Sequence, residues 1–218
     1  MRNRFYLFKK KFIYKAALFV SQSICDVFGR IDIHGYENIP EGPYIIAGNH
    51  VSYLDPFAMA FFTEEEICVV ARDTLMSNWF SKMLLSNMNA IPIKRGDGGN
   101  LGVFRLLISH IKAGRSVLIF PEGTRSADGK LQRGKAGVGL LAVKGNVPIL
   151  PIRSWGFEDV LPRSNKLRGG SRIVMQIGKP IQLKDIDPGK NDPDRAQKIV
   201  DAIMDHLSQI QKPRINDL

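Results

Sequence analysis

The chain has 218 residues, 44% hydrophobic and 24% charged, an ordinary balance for a globular protein of one domain, with or without an appendage. Its two cysteines, Cys25 and Cys68, are too few for a disulfide framework and have no metal-ligand spacing. A formal charge of +10 points to anionic partners: phosphorylated small molecules, anionic lipid or nucleic acid.

Residues 1–29 read as a basic amphipathic helical segment. Arg2, Arg4, Lys9, Lys10, Lys11 and Lys15 precede the first acid, Asp26, while Phe5, Phe8, Phe12, Ala16 and Phe19 recur at helical spacing. A basic helix with an aromatic face suits a membrane interface, where cations meet anionic headgroups and aromatic rings enter the acyl boundary. The lysines interrupt every apolar run well short of the roughly 18 residues of a membrane span. The segment is therefore expected to be peripheral or monotopic.

Residues 30–218 read as one α/β domain. Ile31 to His34 alternates like an edge strand and is followed by a turn through Pro40-Glu41-Gly42-Pro43. Tyr44 to Ala47 is a buried-strand run that enters Gly48-Asn49-His50-Val51-Ser52-Tyr53-Leu54-Asp55. Pro56 to Phe62 then begins an apolar helix, with Asp55 read as its N-cap and Pro56 as its first residue. Five residues on one helix would turn His50 and Asp55 well apart. On a loop that bends back at the helix start they can meet, and a carboxylate beside an imidazole fixes its tautomer for general-base work. H-x-x-x-x-D taken alone is also the pattern of a loop histidine near a capping aspartate.

Further along, Ile67 to Ala71 reads as a strand, Leu75 to Asn87 as an apolar helix, and Ala90 to Ile93 as a short strand that ends on Lys94 and Arg95. Leu101 to Ala113 is a helix with Gly114 as its C-cap. Ser116 to Phe120 is continuously apolar, as an interior parallel strand requires, and ends in Pro121-Glu122-Gly123-Thr124-Arg125-Ser126. Ligands of open α/β sheets bind beyond such carboxyl ends, which makes this turn a candidate site. A basic turn from Lys130 to Gly137 leads into a short helix ending at Val143, and Val147 to Ile152 is another strand. Residues 159–171 read as a basic glycine-rich loop, Arg172 to Ile177 as a late strand, and Asp192 to Gln211 as an amphipathic helix. That helix turns Ala196, Ile199, Val200, Ile203, Met204 and Leu207 inward. The alternation predicts a mostly parallel central sheet flanked by helices.

Four separated blocks together resemble the lysophosphatidic acid (1-acyl-glycerol-3-phosphate) acyltransferase family of glycerolipid acyltransferases. N-H-x-S-x-x-D is matched by Asn49, His50, Ser52 and Asp55, and an Ile-rich strand ending on arginine by Ile91, Ile93 and Arg95. F-P-E-G-T-R-S is matched without change from Phe120 to Ser126, and V-P-I-x-P by Val147, Pro148, Ile149 and Pro151. Lys135 and Gly137 match a lysine and a glycine between the last two blocks. Ala127 and Gly134 depart from the family, which often carries an arginine and an aromatic there.

The resemblance implies transfer of a fatty acyl group from acyl-CoA or acyl carrier protein to the sn-2 hydroxyl of 1-acyl-glycerol-3-phosphate. It implies no cofactor or metal beyond the acyl-donor substrate, and a phospholipid surface at the cytoplasmic face as partner. His50 would take the acceptor proton and Asp55 would orient the imidazole. Arg125 would grip the phosphate, with Arg95 and Lys135 adding positive potential and Gly123 and Thr124 completing the substrate turn. Glu122, an anion, is expected on a glycerol hydroxyl or positioning Arg125. The alternatives are the same chemistry on glycerol-3-phosphate or a lyso-aminolipid, and a non-enzymatic basic membrane-binding module. No nucleic-acid motif accompanies the charge, no G-x-S-x-G elbow or H-E-x-x-H occurs, and His34, His50, His110 and His206 are scattered.

Overall fold

The computed structural model describes residues 14–16, 19, 23, 29–61, 67–77, 79–87, 89–93, 101–161 and 172–213. Among these, the strands are β1 (Ile31–His34), β2 (Ile45–Gly48), β3 (Ile67–Arg72), β4 (Ala90–Ile93), β5 (Ser116–Ile119), β6 (Ile149–Trp155) and β7 (Ile173–Ile177). The helices are α1 (Asp55–Phe61), α2 (Trp79–Asn87), α3 (Leu101–Lys112), α4 (Ala136–Gly145), α5 (Phe157–Val160), α6 (Leu183–Ile186) and α7 (Arg195–Gln209). The strands form one sheet in the order β1-β7-β6-β2-β5-β3-β4. Every pairing is parallel except β6 with β7.

Both faces of the sheet are covered, which is why its central strands read as unbroken apolar runs rather than alternations. On one face Tyr44, Ile46 and Leu118 pack with Ala58 and Met59 of α1. On the other, Ile45, Ala47, Val117 and Ile119 meet Leu107 and Ile111 of α3, Leu141 and Ala142 of α4, and Ile199, Ile203 and Leu207 of α7. The expected inward stripe of α7 is buried at Ile199, Val200, Ile203, Met204 and Leu207. Each such side chain contributes about 2 kcal/mol on leaving water. Ala196 is half-buried, lying where α7 crosses α4.

Several boundaries differ from the sequence reading. β6 continues past Ile152 to Trp155, because its far half pairs antiparallel with β7 from Ile152↔Ile177 to Trp155↔Val174. The helix expected from Leu75 begins at Trp79, after a separate 3-10 turn from Asp73 to Met76. The basic turn before α4 is shorter than expected, since Ala136 and Gly137 already belong to the helix. Part of the loop expected over 159–171 is instead the end of α5, and 162–171 lie outside the described residues.

Most of the basic segment at 1–29 also lies outside the described residues. Its described members Tyr14, Lys15, Ala16, Phe19 and Ser23 are helical. Tyr14 is buried, and its hydroxyl accepts the Ile67 N–H at 3.0 Å, tying this helix to the start of β3. Ala16 and Phe19, on the expected aromatic face, are exposed. No helix among the described residues is long and apolar enough to cross a membrane.

Candidate active site

Adjacent parallel strands β2 and β5 send their connections in opposite directions. β2 leads through α1 to β3, beyond β5, whereas β5 leads through α4 to β6, on the other side of β2. A crevice opens at the carboxyl ends of two strands whose connections diverge in this way. The register pairs Ala47 with Ile119, so His50 and Glu122 each lie three residues beyond a matched pair. The two loops meet there: the His50 N–H donates to Glu122 Oε1 at 3.1 Å, and the Ser126 N–H donates to the His50 carbonyl at 2.7 Å.

His50 and Asp55 are in contact. Nδ1 of the imidazole lies 2.8 Å from Asp55 Oδ2. The same oxygen accepts the N–H groups of Val51 at 2.6 Å and Ser52 at 2.8 Å. Asp55 was expected as the N-cap of α1. It is instead the first helical residue, and its carboxylate caps the turn behind it. That curls the chain back far enough to bring residues 50 and 55 together. Asp55 is fully buried and His50 is 17% exposed, so the carboxylate is sealed while the ring reaches the crevice. A carboxylate oxygen only accepts, so Nδ1 carries the ring proton and Nε2 is the ring's acceptor. Phe120 stacks on the imidazole, centroids 4.1 Å apart and planes 18° from parallel, and fixes its plane.

Glu122 is 3% exposed, and its carboxylate lies against backbone. Oε1 takes the His50 amide, and Oε2 takes the Gln132 N–H at 3.3 Å. The residue expected on a ligand hydroxyl or beside Arg125 thus clasps the histidine loop to the turn before α4. Burial, with the Asp55 charge adding, pushes its pKa from 4.5 up to about 7 against the two amide donors. The folded chain therefore binds this proton more tightly than the unfolded chain. Between these two values the contribution to stability falls as pH rises, and it is level above about pH 7. Glu122→Gln should flatten this slope in denaturant melts between about pH 5 and pH 7. Parallel slopes for variant and wild type would contradict the assignment.

The expected cations are divided by the structure. The Arg125 guanidinium lies over Tyr53, its Cζ 3.5 Å from the ring centroid. Lys135 precedes α4, with its N–H donating to the Pro121 carbonyl at 2.9 Å. Its side chain drapes over Gly123, where a Cβ would fall 2.8 Å from Nζ. Gly123 also has φ +68°, so this position favours glycine twice over. Thr124 is half-buried in the same turn. Arg95 lies outside the described residues.

Asn49 and Ser52, motif positions of the first block, hold the loop in place, while Glu158 and Tyr53 carried no signal in spacing. Asn49 locks the loop to β6: its Oδ1 accepts the Ser154 N–H at 2.7 Å and its Nδ2 donates to the Ser154 carbonyl at 3.0 Å. Ser52 donates to the Leu161 carbonyl at 2.9 Å and accepts the Leu54 N–H at 3.2 Å, bonding the turn. Glu158 accepts the Gly156 N–H at 3.0 Å, and burial raises its pKa, with Asp159 and Asp55 adding. Tyr53 occupies an unspecified position inside the first block, and only its aromatic character hinted at a stacking partner.

The sequence profile of the acyltransferase family matches residues 30–155. A chloroplastic 1-acyl-sn-glycerol-3-phosphate acyltransferase of Brassica napus is 32% identical over 179 residues, 76% of this chain and 49% of the relative. The 1-acyl-sn-glycerol-3-phosphate acyltransferase of Pseudomonas aeruginosa is 35% identical over 188 residues, 84% of this chain and 72% of the relative. The chain spans about half the length of its chloroplast relatives. The crystal structure of the 1-acyl-sn-glycerophosphate acyltransferase PlsC from Thermotoga maritima superposes with a TM-score of 0.75. It covers 97% of this chain and 84% of its own at 23% identity, which is a likeness of fold.

Proposed function

The chain belongs to the acyltransferase family, and from that premise we propose that it moves a fatty acyl group from an acyl thioester to the free sn-2 hydroxyl of 1-acyl-glycerol-3-phosphate, giving phosphatidic acid. The observation that carries the reading is the imidazole held through Nδ1 by Asp55, with Nε2 as its proton acceptor, in a crevice shared with the Arg125 turn.

In this reading the acceptor hydroxyl attacks the thioester carbonyl while Nε2 of His50 takes its proton. Asp55 stabilises the imidazolium that results. The ester C–O bond forms, the C–S bond breaks, and the imidazolium returns the proton to the departing thiolate. No protein nucleophile is needed, because the substrate alcohol plays that part. Arg125 receives the acceptor phosphate through its in-plane N–H fork, and Lys135 and Arg95 add positive potential. Gly123 and Thr124 complete the substrate turn, the bare glycine leaving room for the Lys135 side chain to lie against it.

Acyl-CoA or acyl carrier protein serves as donor. The basic N-terminal segment and the charge of +10 support docking on the anionic cytoplasmic face of a phospholipid membrane, peripherally or monotopically. The direct test incubates the full chain with radiolabelled acyl-CoA, lipid vesicles and a panel of acceptors. Labelled phosphatidic acid from lysophosphatidic acid is the expected product. Label appearing only on glycerol-3-phosphate or a lyso-aminolipid would move the acceptor, and label on none would end the acyltransfer reading.

A further inference from the structure

We propose that Tyr53 is a positioning residue for the acceptor phosphate: its ring holds the Arg125 guanidinium at a set distance from His50 and so matches the site to an alcohol with a nearby phosphate. The inference rests on the acyltransfer reading above and adds a residue to it.

A guanidinium is a flat cation whose faces are poorly hydrated and whose five N–H donors lie in the plane. Packing one face on an aromatic ring restrains rotation of the long side chain without using any donor. At 3.5 Å from the ring centroid, the Arg125 Cζ is in contact with the Tyr53 ring.

The location of Tyr53 gives the stack its consequence. Tyr53 lies between His50 and Asp55, inside the turn that Asp55 Oδ2 closes through the Val51 and Ser52 amides. Arg125 lies next to Ser126, whose N–H is bonded to the His50 carbonyl at 2.7 Å. The cation is thereby referred to the histidine loop twice, through backbone on one side and through the ring on the other. Both Tyr53 and Arg125 are half-buried, so the pair is shielded enough to hold one geometry and open enough to meet a ligand. In an acceptor whose phosphate and reacting hydroxyl belong to one glycerol backbone, the distance between the two groups is bounded. A fixed cation then presents the hydroxyl to His50, whereas a loose one does not.

The test uses the full chain, lysophosphatidic acid and acyl-CoA, comparing wild type with Tyr53→Phe and Tyr53→Leu. Tyr53→Leu should raise KM for lysophosphatidic acid about fivefold or more, the scale of a partly desolvated cation–π contact. Its KM for acyl-CoA and its thermal midpoint should stay at wild-type values. Tyr53→Phe keeps the ring face and should restore the acceptor KM, which a lost hydroxyl contact or a general packing defect would not do. An unchanged acceptor KM in Tyr53→Leu, or no rescue by phenylalanine, would overturn the role of Tyr53. So would equal damage to both substrates together with a lowered midpoint. A wild type that makes no phosphatidic acid would instead sink the acyltransfer reading beneath it, so the two failures are distinguishable.

Discussion

Replacing His50 with alanine is expected to lower kcat by about a thousandfold or more, the range in which removal of a positioned general base falls. The fold should survive. The two bonds that tie this loop to the next one use the His50 backbone, its N–H to Glu122 and its carbonyl from Ser126, and alanine keeps both. What is lost is the imidazole between Phe120 and Asp55. Circular dichroism and a thermal melt close to wild type, beside absent turnover of acyl-CoA and lysophosphatidic acid, is the expected pair of results. Full activity in a folded His50→Ala protein would remove the proposed mechanism.

Asp55→Asn provides a finer companion. An asparagine can still offer its oxygen to the Val51 and Ser52 amides, which hold the turn. That same oxygen then faces Nδ1 without a full charge, so the imidazolium loses the anion that stabilises it. The loss should therefore appear in kcat while affinity for lysophosphatidic acid stays close to wild type. A change confined to KM would point instead to a loop that had shifted.

The largest effect on stability is expected at Gly139, where α4 meets α7. On α4 it faces α7, and a Cβ there would lie 1.9 Å from the Ala196 carbonyl oxygen and 2.7 Å from its carbon. These are backbone atoms with no rotamer to escape into, so α4 and α7 would have to part. Cluster residues Leu141 and Ala142 on one side, and Ile199 and Ile203 on the other, would lose close packing together. Gly139→Ala should cost about 3 kcal/mol, or roughly 10 °C in thermal midpoint for a chain of this size. Gly137→Ala, two residues earlier in the same helix, is the control. Nothing lies within 4 Å of a Cβ there, so the change should be neutral or slightly stabilising. Similar midpoints for the two variants would show that the helix contact is not the constraint.

That contact also bears on the site. Gly134, beside Lys135, sits under α7, with a Cβ there meeting Val200 Cγ2 at 2.6 Å and Met204 Cγ at 3.0 Å. Gln197 of α7 donates to the Gly134 carbonyl at 3.2 Å. The family often has an aromatic residue before this lysine. Here α7 fills that space, and glycine is the side chain that fits.

Much of the architecture was legible in the chain because it follows from short-range rules. Continuous apolar runs at 44–47 and 117–119 mark strands covered on both faces, and the alternation at 31–34 marks an edge. The 3.6-residue stripe from Ile199 to Leu207 marks a helix with one buried side. The His50 to Asp55 spacing allowed the two to meet on a loop that bends back, which a straight helix does not. The antiparallel extension of β6 was hidden, because its pairing partners lie outside any local window, from Ile152↔Ile177 to Trp155↔Val174, and leave no trace in composition or period.

The division of labour among the site residues belonged to tertiary structure. Sequence placed Glu122 in a candidate ligand turn at a strand's carboxyl end, and the resemblance implied a glycerol hydroxyl or Arg125 as its partner. The strand register instead carries it under the His50 amide, where two backbone donors use it and burial raises its pKa. Tyr53 and Arg125 are 72 residues apart, and their stack exists because β2 and β5 are neighbours that end at one level. Residue types and their order along the chain determine which chemical groups the protein has and which segments become strands or helices. Which groups share a charge, a proton or a ring face depends on distances across the sheet, and those are set by how the strands stack side by side.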